Sequence, residues 1–394
     1  MKLIPRILLL CIAFIIISHV AVSQTVTPIN DGDIYTLEVG NVTFEADASF
    51  GGRVTSFTIN GEEILFMNSN YGDMVGSILW PSPQDWPWPP SKTLDSDPYT
   101  GGINGNKIIL TSGEDEAMHL IFRKIYYADT EDTTVTLQYS IINNGSSATS
   151  KAAWEVTRVD AGGLSFFPTG DNDAWNKLAT YLEFENDISW YEFSNSHIGD
   201  RKFMSDGKEG WFAHVSESNL LFIKHFEDVP NDNQAPAENE IELYLMSDHS
   251  YIELENQSEY IEIQPGDSLV YTVKWYLRTL PESVDVSVGS TFLASYVRQV
   301  LGLEDPGTDA IYLNEYSNSN IKVYPNPSSD YLRFINLPEG EYTIDIFTVS
   351  GKKVLSSQIS SDNNYISIKE LNTGVYLYSI YSKGEVYRGK INVK

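Results

Sequence analysis

The chain has 394 residues, 42% of them hydrophobic, with 26 Lys+Arg against 54 Asp+Glu and a formal net charge of −28. A phosphate backbone needs a basic surface to neutralise it, so this balance excludes nucleic acid as an expected partner. Acidity of this size keeps a protein dissolved outside the cell, and the single cysteine, Cys11, leaves no disulfide framework.

At the start, Lys2 and Arg6 flank the beginning of an almost wholly apolar run from Ile7 to Val22, and Ala21-Val22-Ser23 is a small-x-small cleavage site. This pattern predicts a secretory signal peptide over residues 1–23. Cleavage near Gln24 removes Cys11 and takes the net charge from −28 to −30. Cys11 lacks the small residues that a lipoprotein site places before it. No later segment approaches the ~20 apolar residues of a spanning helix, so no integral membrane segment is expected after cleavage.

Residues 25–301 read as one large β region. Tyr35–Val39, Thr134–Tyr139, Ile241–Leu245 and Val270–Trp275 are β-branched or aromatic at period two and bounded by turn residues. Asn60-Gly61 suits the positive φ angles of a type I′ hairpin turn. All eight tryptophans lie between Trp80 and Trp275, so the aromatic weight of the chain sits in this region. The prolines of Trp80-Pro81-Ser82-Pro83-Gln84-Asp85-Trp86-Pro87-Trp88-Pro89-Pro90 fix φ and remove amide donors, which predicts a stiff loop and neither a helix nor a central strand. Its three indoles either present pre-ordered faces to a sugar ring or fold back as core. The expectation is a split, with one indole exposed and the others structural.

In Ala153–Asp160, period two puts Trp154, Val156, Arg158 and Asp160 on one face. Arg158 suits a uronate carboxylate or a sugar hydroxyl; the alternative is an idle surface pair with Asp160 or a glutamate. Arg53, after Gly51-Gly52, has the same two readings, a binding group or a solvated one. In Tyr251–Gln257, Tyr251, Glu253, Glu255 and Gln257 share a face opposite Ile252 and Leu254. Glu253 and Glu255 then lie about 6–7 Å apart. They are either paired functional carboxylates or the solvated side of an ordinary half-buried strand. Among the histidines, His119 reads as a structural residue of a strand, while His197 and His214 stay open. Asp171-Asn172-Asp173 is rich in carboxylates but lacks EF-hand spacing, so calcium is unsupported and no cofactor is expected.

Thr291–Leu301 is the one convincing helix, capped by Ser290, with Phe292, Tyr296, Val297 and Val300 on one face. Residues 302–320 are acidic, broken by Pro306-Gly307 and aperiodic, which marks a linker. From about Ile321 to Lys394, short strands alternate with turns such as Ser350-Gly351-Lys352 and Pro338-Glu339-Gly340, predicting a small β-sandwich.

Two resemblances add to these patterns. Lys322-Val323-Tyr324-Pro325-Asn326-Pro327, Asp345-Ile346-Phe347-Thr348-Val349-Ser350-Gly351-Lys352-Lys353-Val354 and Leu371-Asn372-Thr373-Gly374-Val375-Tyr376, followed by a basic tail, resemble the type A C-terminal sorting domain of the bacterial type IX secretion system. That resemblance implies the secretion machinery as partner and the outer cell surface or the medium as destination, with the sorting domain itself removable on export. Gly51–Phe57 with the Asn60-Gly61 hairpin, Gly76–Gln84, Tyr251–Gln257 and Pro265-Gly266-Asp267-Ser268 resemble the galactose mutarotase-like β-supersandwich shared by aldose epimerases and other carbohydrate-active proteins. In that family a Glu-x-Gln supplies the general base, which falls on Glu255-Asn256-Gln257. The family's Asn-His pair has no counterpart in Ala153–Asp160, which puts ordinary mutarotase activity in doubt.

The expected fold is therefore all-β, a large antiparallel β-supersandwich followed by a small C-terminal β-sandwich. The leading expectation is a secreted or surface carbohydrate-binding protein whose site uses Arg158 and Glu255, with Trp80, Trp86, Trp88, Arg53, Trp154 and Glu253 around them. Two alternatives stand beside it. One is an epimerase-like or lyase-like enzyme with Glu255 as base; the other is a non-catalytic structural or adhesive domain in which the tryptophan loop is core.

Overall fold

The alternating runs become strands, and every ladder between them is antiparallel. The computed structural model describes residues 25–171, 174–280, 284–303, 322–335, 337, 340–348, 352–361, 363–382 and 385–394. The signal segment, nearly all of the 302–320 linker, Asn172-Asp173, and most of the turns at Pro338-Glu339-Gly340 and Ser350-Gly351-Lys352 lie outside the described residues.

Two large sheets build the main body. One runs, strand by strand, Ile29–Asp31, Ile34–Val39, Val42–Asp47, Arg53–Ile59, Ser77–Ser82, Thr149–Asp160, Tyr251–Gln257, Ile241–Leu245 and Arg201–Ser205, with two short strands beside this path. The other has ten strands, with Ser268–Thr279 between Thr134–Asn143 and Leu220–His225. Their inner faces share one apolar core, where Phe44 and Phe57 of the first sheet meet Trp275 of the second at ring distances of 6.2 and 5.3 Å. Each large side chain buried this way is worth roughly 1.5–3 kcal/mol. At the first hairpin, Asn60 and Gly61 take φ of 54° and 82°, the positive values a type I′ turn requires.

The outer faces differ. The helix Thr291–Leu301 covers that of the second sheet, packing on Phe166, Trp190 and Trp211. Ser290 caps it as read, accepting the Leu293 amide at 3.3 Å. Its most buried apolar residues are Leu293, Ala294 and Val297, and Phe292, Tyr296 and Val300 only flank them. No helix of comparable length covers the outer face of the first sheet among the described residues; the four-residue helix Lys92–Asp95 borders it, its Asp95 meeting Trp80 and Arg53. That face carries Trp80, Trp154, Ile78 and Val156.

One expectation about backbone fails. Trp80-Pro81-Ser82 is not loop but the end of the strand Ser77–Ser82, with Pro81 opposite Ala153. The proline is tolerated because the neighbour on its other side, Arg53–Ile59, meets this strand only at Val54–Ser77. No ladder there asks Pro81 for an amide.

At the other end of the chain, a three-stranded sheet of Lys322–Tyr324, Tyr331–Ile335 and Tyr365–Ser367 and a four-stranded sheet running from Lys353–Ser360 to Glu385–Val393 enclose Leu332, Phe334, Ile344, Ile346 and Ile380. This is the small sandwich. None of the described helices is long and apolar enough to cross a membrane.

Candidate functional site

Antiparallel register aligns residues of neighbouring strands on one face. Trp154 lies opposite Trp80 and Gln257, Val156 opposite Ile78 and Glu255, and Arg158 opposite Glu253. Beyond them Glu242 lies opposite Glu255, and Tyr244 opposite Glu253. Lys202 in turn lies opposite Tyr244, and Met204 opposite Glu242. The sheet thus collects five of the eight residues that the sequence nominated on one surface, Trp80, Trp154, Arg158, Glu253 and Glu255, and sets Glu242 and Lys202 beside them. Ile252 and Leu254 face the core, as the alternation requires.

The glutamates are not solvated. All seven residues of Tyr251–Gln257 are buried, so the reading of a half-buried strand with a wet polar side is overturned. Side chains of the neighbouring strands pack on them, Trp154 and Lys202 against Glu255 and Arg158 against Glu253. Glu255 Oε2 accepts from Trp154 Nε1 at 2.7 Å and Lys202 Nζ at 2.8 Å, while its Oε1 has no hydrogen-bond partner. Lys202 Nζ also donates to Glu242 Oε2 at 2.6 Å and lies 4.5 Å from the centre of the Trp154 ring. Glu242 Oε1 accepts from Gln257 Nε2 at 3.0 Å and the Asn239 amide at 3.2 Å. One ammonium therefore bridges two carboxylates.

Burial pushes Glu255 up to about 7 against the pull of Lys202, and the charge of Glu242 adds to the rise. Burial likewise takes Glu242 up to about 7, against Lys202 and with Glu238 adding to it. Burial works against the charge of Lys202, but Glu242 and Glu255 outweigh it and hold the ammonium above its ordinary range. Near neutral pH this cluster holds a fixed cation and two carboxyls close to their midpoints, which is the condition for exchanging a proton with a bound group.

Arg158 is fully buried, and the idle surface pair is excluded. Its Nη2 meets Glu253 Oε1 at 2.7 Å, and the guanidinium lies 5.6 and 5.7 Å from the Trp80 and Tyr251 ring centres. Its Nε and Nη1 make no hydrogen bond. Burial raises Glu253 despite Arg158. Asp160 takes no part and lines a separate cavity of about 180 Å³ with His214 and Glu217.

Arg53 is buried rather than solvated. It donates to the Val75 carbonyl at 3.0 Å, pairs with Asp95 Oδ2 at 3.3 Å and stacks over Phe50. Burial lowers it to about 10, with Asp95 opposing. Asp95 Oδ1 accepts from Trp80 Nε1 at 2.8 Å, so Arg53 supports the site from behind. Gly51 makes this possible: at φ +65°, a Cβ there would stand 1.8 Å from the Asp95 carbonyl.

The tryptophan loop splits as expected. Trp80 is buried, Trp86 is half-buried with its Nε1 donating to the Pro81 carbonyl at 2.8 Å, and Trp88 is 54% exposed. Trp80 is the hub, 5.3 Å from Trp154, 6.0 Å from Trp86 and 5.8 Å from Trp88.

None of the five described histidines is hydrogen-bonded to these carboxylates. His119 is not in a strand: it sits in a turn at φ 54°, with its exposed ring 2.9 Å from Glu114. His197 stacks on Tyr181 at 3.9 Å, and His214 is buried against Ser165 and pushed down to about 3 by burial. Among the described residues no group of three or more His, Cys, Asp or Glu side chains is placed to hold a metal ion. Sequence reasoning missed Lys202, Glu242, Asp95 and Tyr251 as members of the site. Glu242 had a signal, the alternation of Ile241–Leu245, whereas the short strand Arg201–Ser205 has none.

The family described as a secretion system C-terminal sorting domain matches residues 322–394, which implies export by type IX secretion to the cell surface or extracellular space and contact with that machinery. The family described as a domain of unknown function (DUF4380) matches residues 82–278. No curated protein matches the sequence. Solved structures similar to the chain include a TPR-domain containing protein from Parabacteroides distasonis, 14% identical with a TM-score of 0.48, the match covering 70% of this chain and 49% of that one. A galactose mutarotase-like protein from Clostridium acetobutylicum is 12% identical with a TM-score of 0.44, over 66% of this chain and 99% of that one. A galactose mutarotase related enzyme from Lactobacillus acidophilus is 8% identical with a TM-score of 0.47, over 65% and 100%.

Proposed function

The chain belongs to the family described as a domain of unknown function (DUF4380), and we propose that its large β region, residues 25–301, binds carbohydrate at the cell surface or outside the cell. In this reading a cleaved signal peptide starts export, 302–320 links the two parts, and the sorting domain from about 321 completes it. The carrying observation is the outer face of the first sheet. Four linked indoles lie beside Arg158 and Glu255, both buried and both with polar atoms left without partners. Aromatic faces suit the apolar faces of sugar rings, and unpaired buried polar atoms favour a ligand rich in hydroxyls, because leaving them unmade costs about 1–3 kcal/mol each. Arg158 and Glu255 form the floor, and Trp88 is the indole that reaches solvent.

A screen of neutral and acidic monosaccharides against the full chain, read by tryptophan fluorescence, tests this. A hit that Glu255→Gln weakens by about tenfold or more supports the floor as the site. Absence of any hit, with and without calcium, returns the domain to the structural or adhesive reading.

A second reading is favoured by one feature, the two carboxyls near 7 that share Lys202. Here Glu255 is a general base and Glu242 the group that holds a proton when Glu255 does not. An anomerisation or elimination assay on the bound sugar would show a rate changing near pH 7 and lost in Glu255→Gln. A bound sugar that is never turned over leaves binding alone.

A further inference from the structure

We propose that an extended peptide adds itself as a strand beside Ser268–Val273 of the second sheet, with its C-terminal carboxylate at Lys274 and His225. This site lies apart from the carbohydrate face and does not depend on it. Strand pairing carries the inference. On one side, the strand Ser268–Thr279 pairs with Thr134–Asn143 from Ser268 to Tyr276. On the other side, Leu220–His225 covers it only from Thr279 to Lys274. After His225 that neighbour leaves: the Phe226 amide donates to the Gly210 carbonyl at 2.8 Å, and the Val229 amide donates to Glu240 Oε1 at 2.7 Å, next to the first-sheet strand Ile241–Leu245. In an antiparallel ladder each residue turns its amide and carbonyl to one side, and successive residues alternate. About half the polar backbone of Ser268–Val273 therefore points to the uncovered side. Leu269–Val273 make no hydrogen bond there among the described residues.

This edge is open to solvent. It faces a cavity of about 640 Å³, within the ~300–1,000 Å³ of ordinary ligand sites. Leu269, Val270, Tyr271 and Thr272 all line it. Successive side chains of a strand point to opposite faces, so a cavity that touches all four lies along the edge of the strand and not over one face. Ser268 and Thr272 are exposed, and Val270 is 55% exposed. The other walls come from Phe226–Pro230 and from Ser258, Glu259 and Ile261. An uncovered edge with free N–H and C=O groups is a template for one more strand, which gains main-chain hydrogen bonds whatever its sequence.

Charge sets the direction of that strand. Lys274 and His225 lie opposite each other where the open edge stops, and both line the cavity. Neither has a hydrogen bond or an ion pair among the described residues. A carboxylate between them is charge-matched to the lysine and reaches the imidazole as a second partner. A peptide parallel to Ser268–Val273 ends its chain at that point. An antiparallel one would begin there and bring an ammonium against Lys274. The remaining charges of the walls are Glu227, Asp228 and Glu259, which favour a lysine or arginine within the peptide over a second acidic group.

The test uses the full chain and an array of random hexapeptides, each made both with a free C-terminal carboxylate and as the amide, with affinities measured by fluorescence anisotropy. Free acids bind, and the amides of the same sequences bind about tenfold or more weakly. Lys274→Gln brings the free acids down to the level of the amides and leaves the amides unchanged. N-methylation of alternate peptide amides abolishes binding in one parity and spares it in the other, because a strand on a single open edge uses only every second N–H. An array without binders, acids and amides that bind alike, or N-methylation without effect in either parity overturns the site. So does displacement of the peptide by a sugar bound at Glu255, which would put both ligands on the first sheet.

Discussion

Two lysine–glutamate clusters sit on opposite sides of the same sheet, and they have been assembled for different ends. On the inner side Lys224 meets Glu155 at 2.9 Å, with neither side chain exposed. Lys224 also donates to Thr157 Oγ1 at 3.0 Å and the Leu254 carbonyl at 2.9 Å, and Trp275 Nε1 donates to Glu155 at 3.0 Å. All three ammonium hydrogens have acceptors, and the charges balance one to one. On the outer side a tryptophan N–H again meets a glutamate, but one lysine serves two carboxylates and its side chain is 20% exposed. The inner cluster is sealed and its lysine is saturated, although Glu155 Oε2 has no hydrogen-bond partner. The outer one has two carboxylates to one lysine and a cation in reach of water. Similar residue types thus make a structural pin in one place and a candidate site in the other, and what separates them is stoichiometry and access to solvent.

That contrast can be broken most forcefully at the lysines. Lys224→Met leaves Glu155 charged and sealed between the sheets, and should cost about 3–5 kcal/mol in denaturant unfolding at pH 7. Lys202→Met should cost less at pH 5, about 1–3 kcal/mol, because Glu242 and Glu255 take up protons there, and more at pH 8. Equal losses at pH 5 would show that the two clusters are alike.

A second, smaller effect lies in the pH profile. Glu242 and Glu255 stand at about 7 in the folded protein against 4.5 ordinarily. Between these values the folded chain holds more protons than the unfolded one, so this pair makes stability fall as pH rises from about 4.5 to about 7, and adds no further slope above. Glu255→Gln should flatten part of that fall in unfolding curves measured across the window. A profile unchanged by the substitution would remove the coupled pair from the description of the outer face.

The smallest effect is expected at the rim. Trp88→Ala, at a half-exposed ring, should shift unfolding free energy by no more than about 0.5 kcal/mol while weakening sugar binding. A large loss of stability with it would make Trp88 part of the packing and take it out of the proposed site.

Much of this molecule was legible in the sequence because its signals are local. Period-two alternation marked Tyr35–Val39, Thr134–Tyr139, Ile241–Leu245 and Val270–Trp275, each of which lies in a strand, since the pleat itself has period two. Ser290 announced the helix, Asn60-Gly61 the hairpin, and the tail motifs the sorting domain. The same periodicity put Glu253 with Glu255 and Trp154 with Arg158 on common faces. Pro81 misled, because a proline's cost depends on whether a neighbouring strand asks for its amide, and only the sheet order shows that none does.

What periodicity cannot supply is the pairing of strands distant in the chain. Lys202 reaches Glu255 across 53 residues and Arg53 reaches Asp95 across 42; strand order and register set both distances. Burial is decided there too. A glutamate on the polar side of a strand looks solvated until its neighbours are known, and here Trp154 and Lys202 lie against a Glu255 that is fully buried. The sequence by itself determined which residues share a face and the implied destination of the chain. Only the tertiary structure decided which faces meet, which charges are sealed, and where a ligand could find an unsatisfied partner, because desolvation and charge coupling depend on distances in space and not on position along the chain.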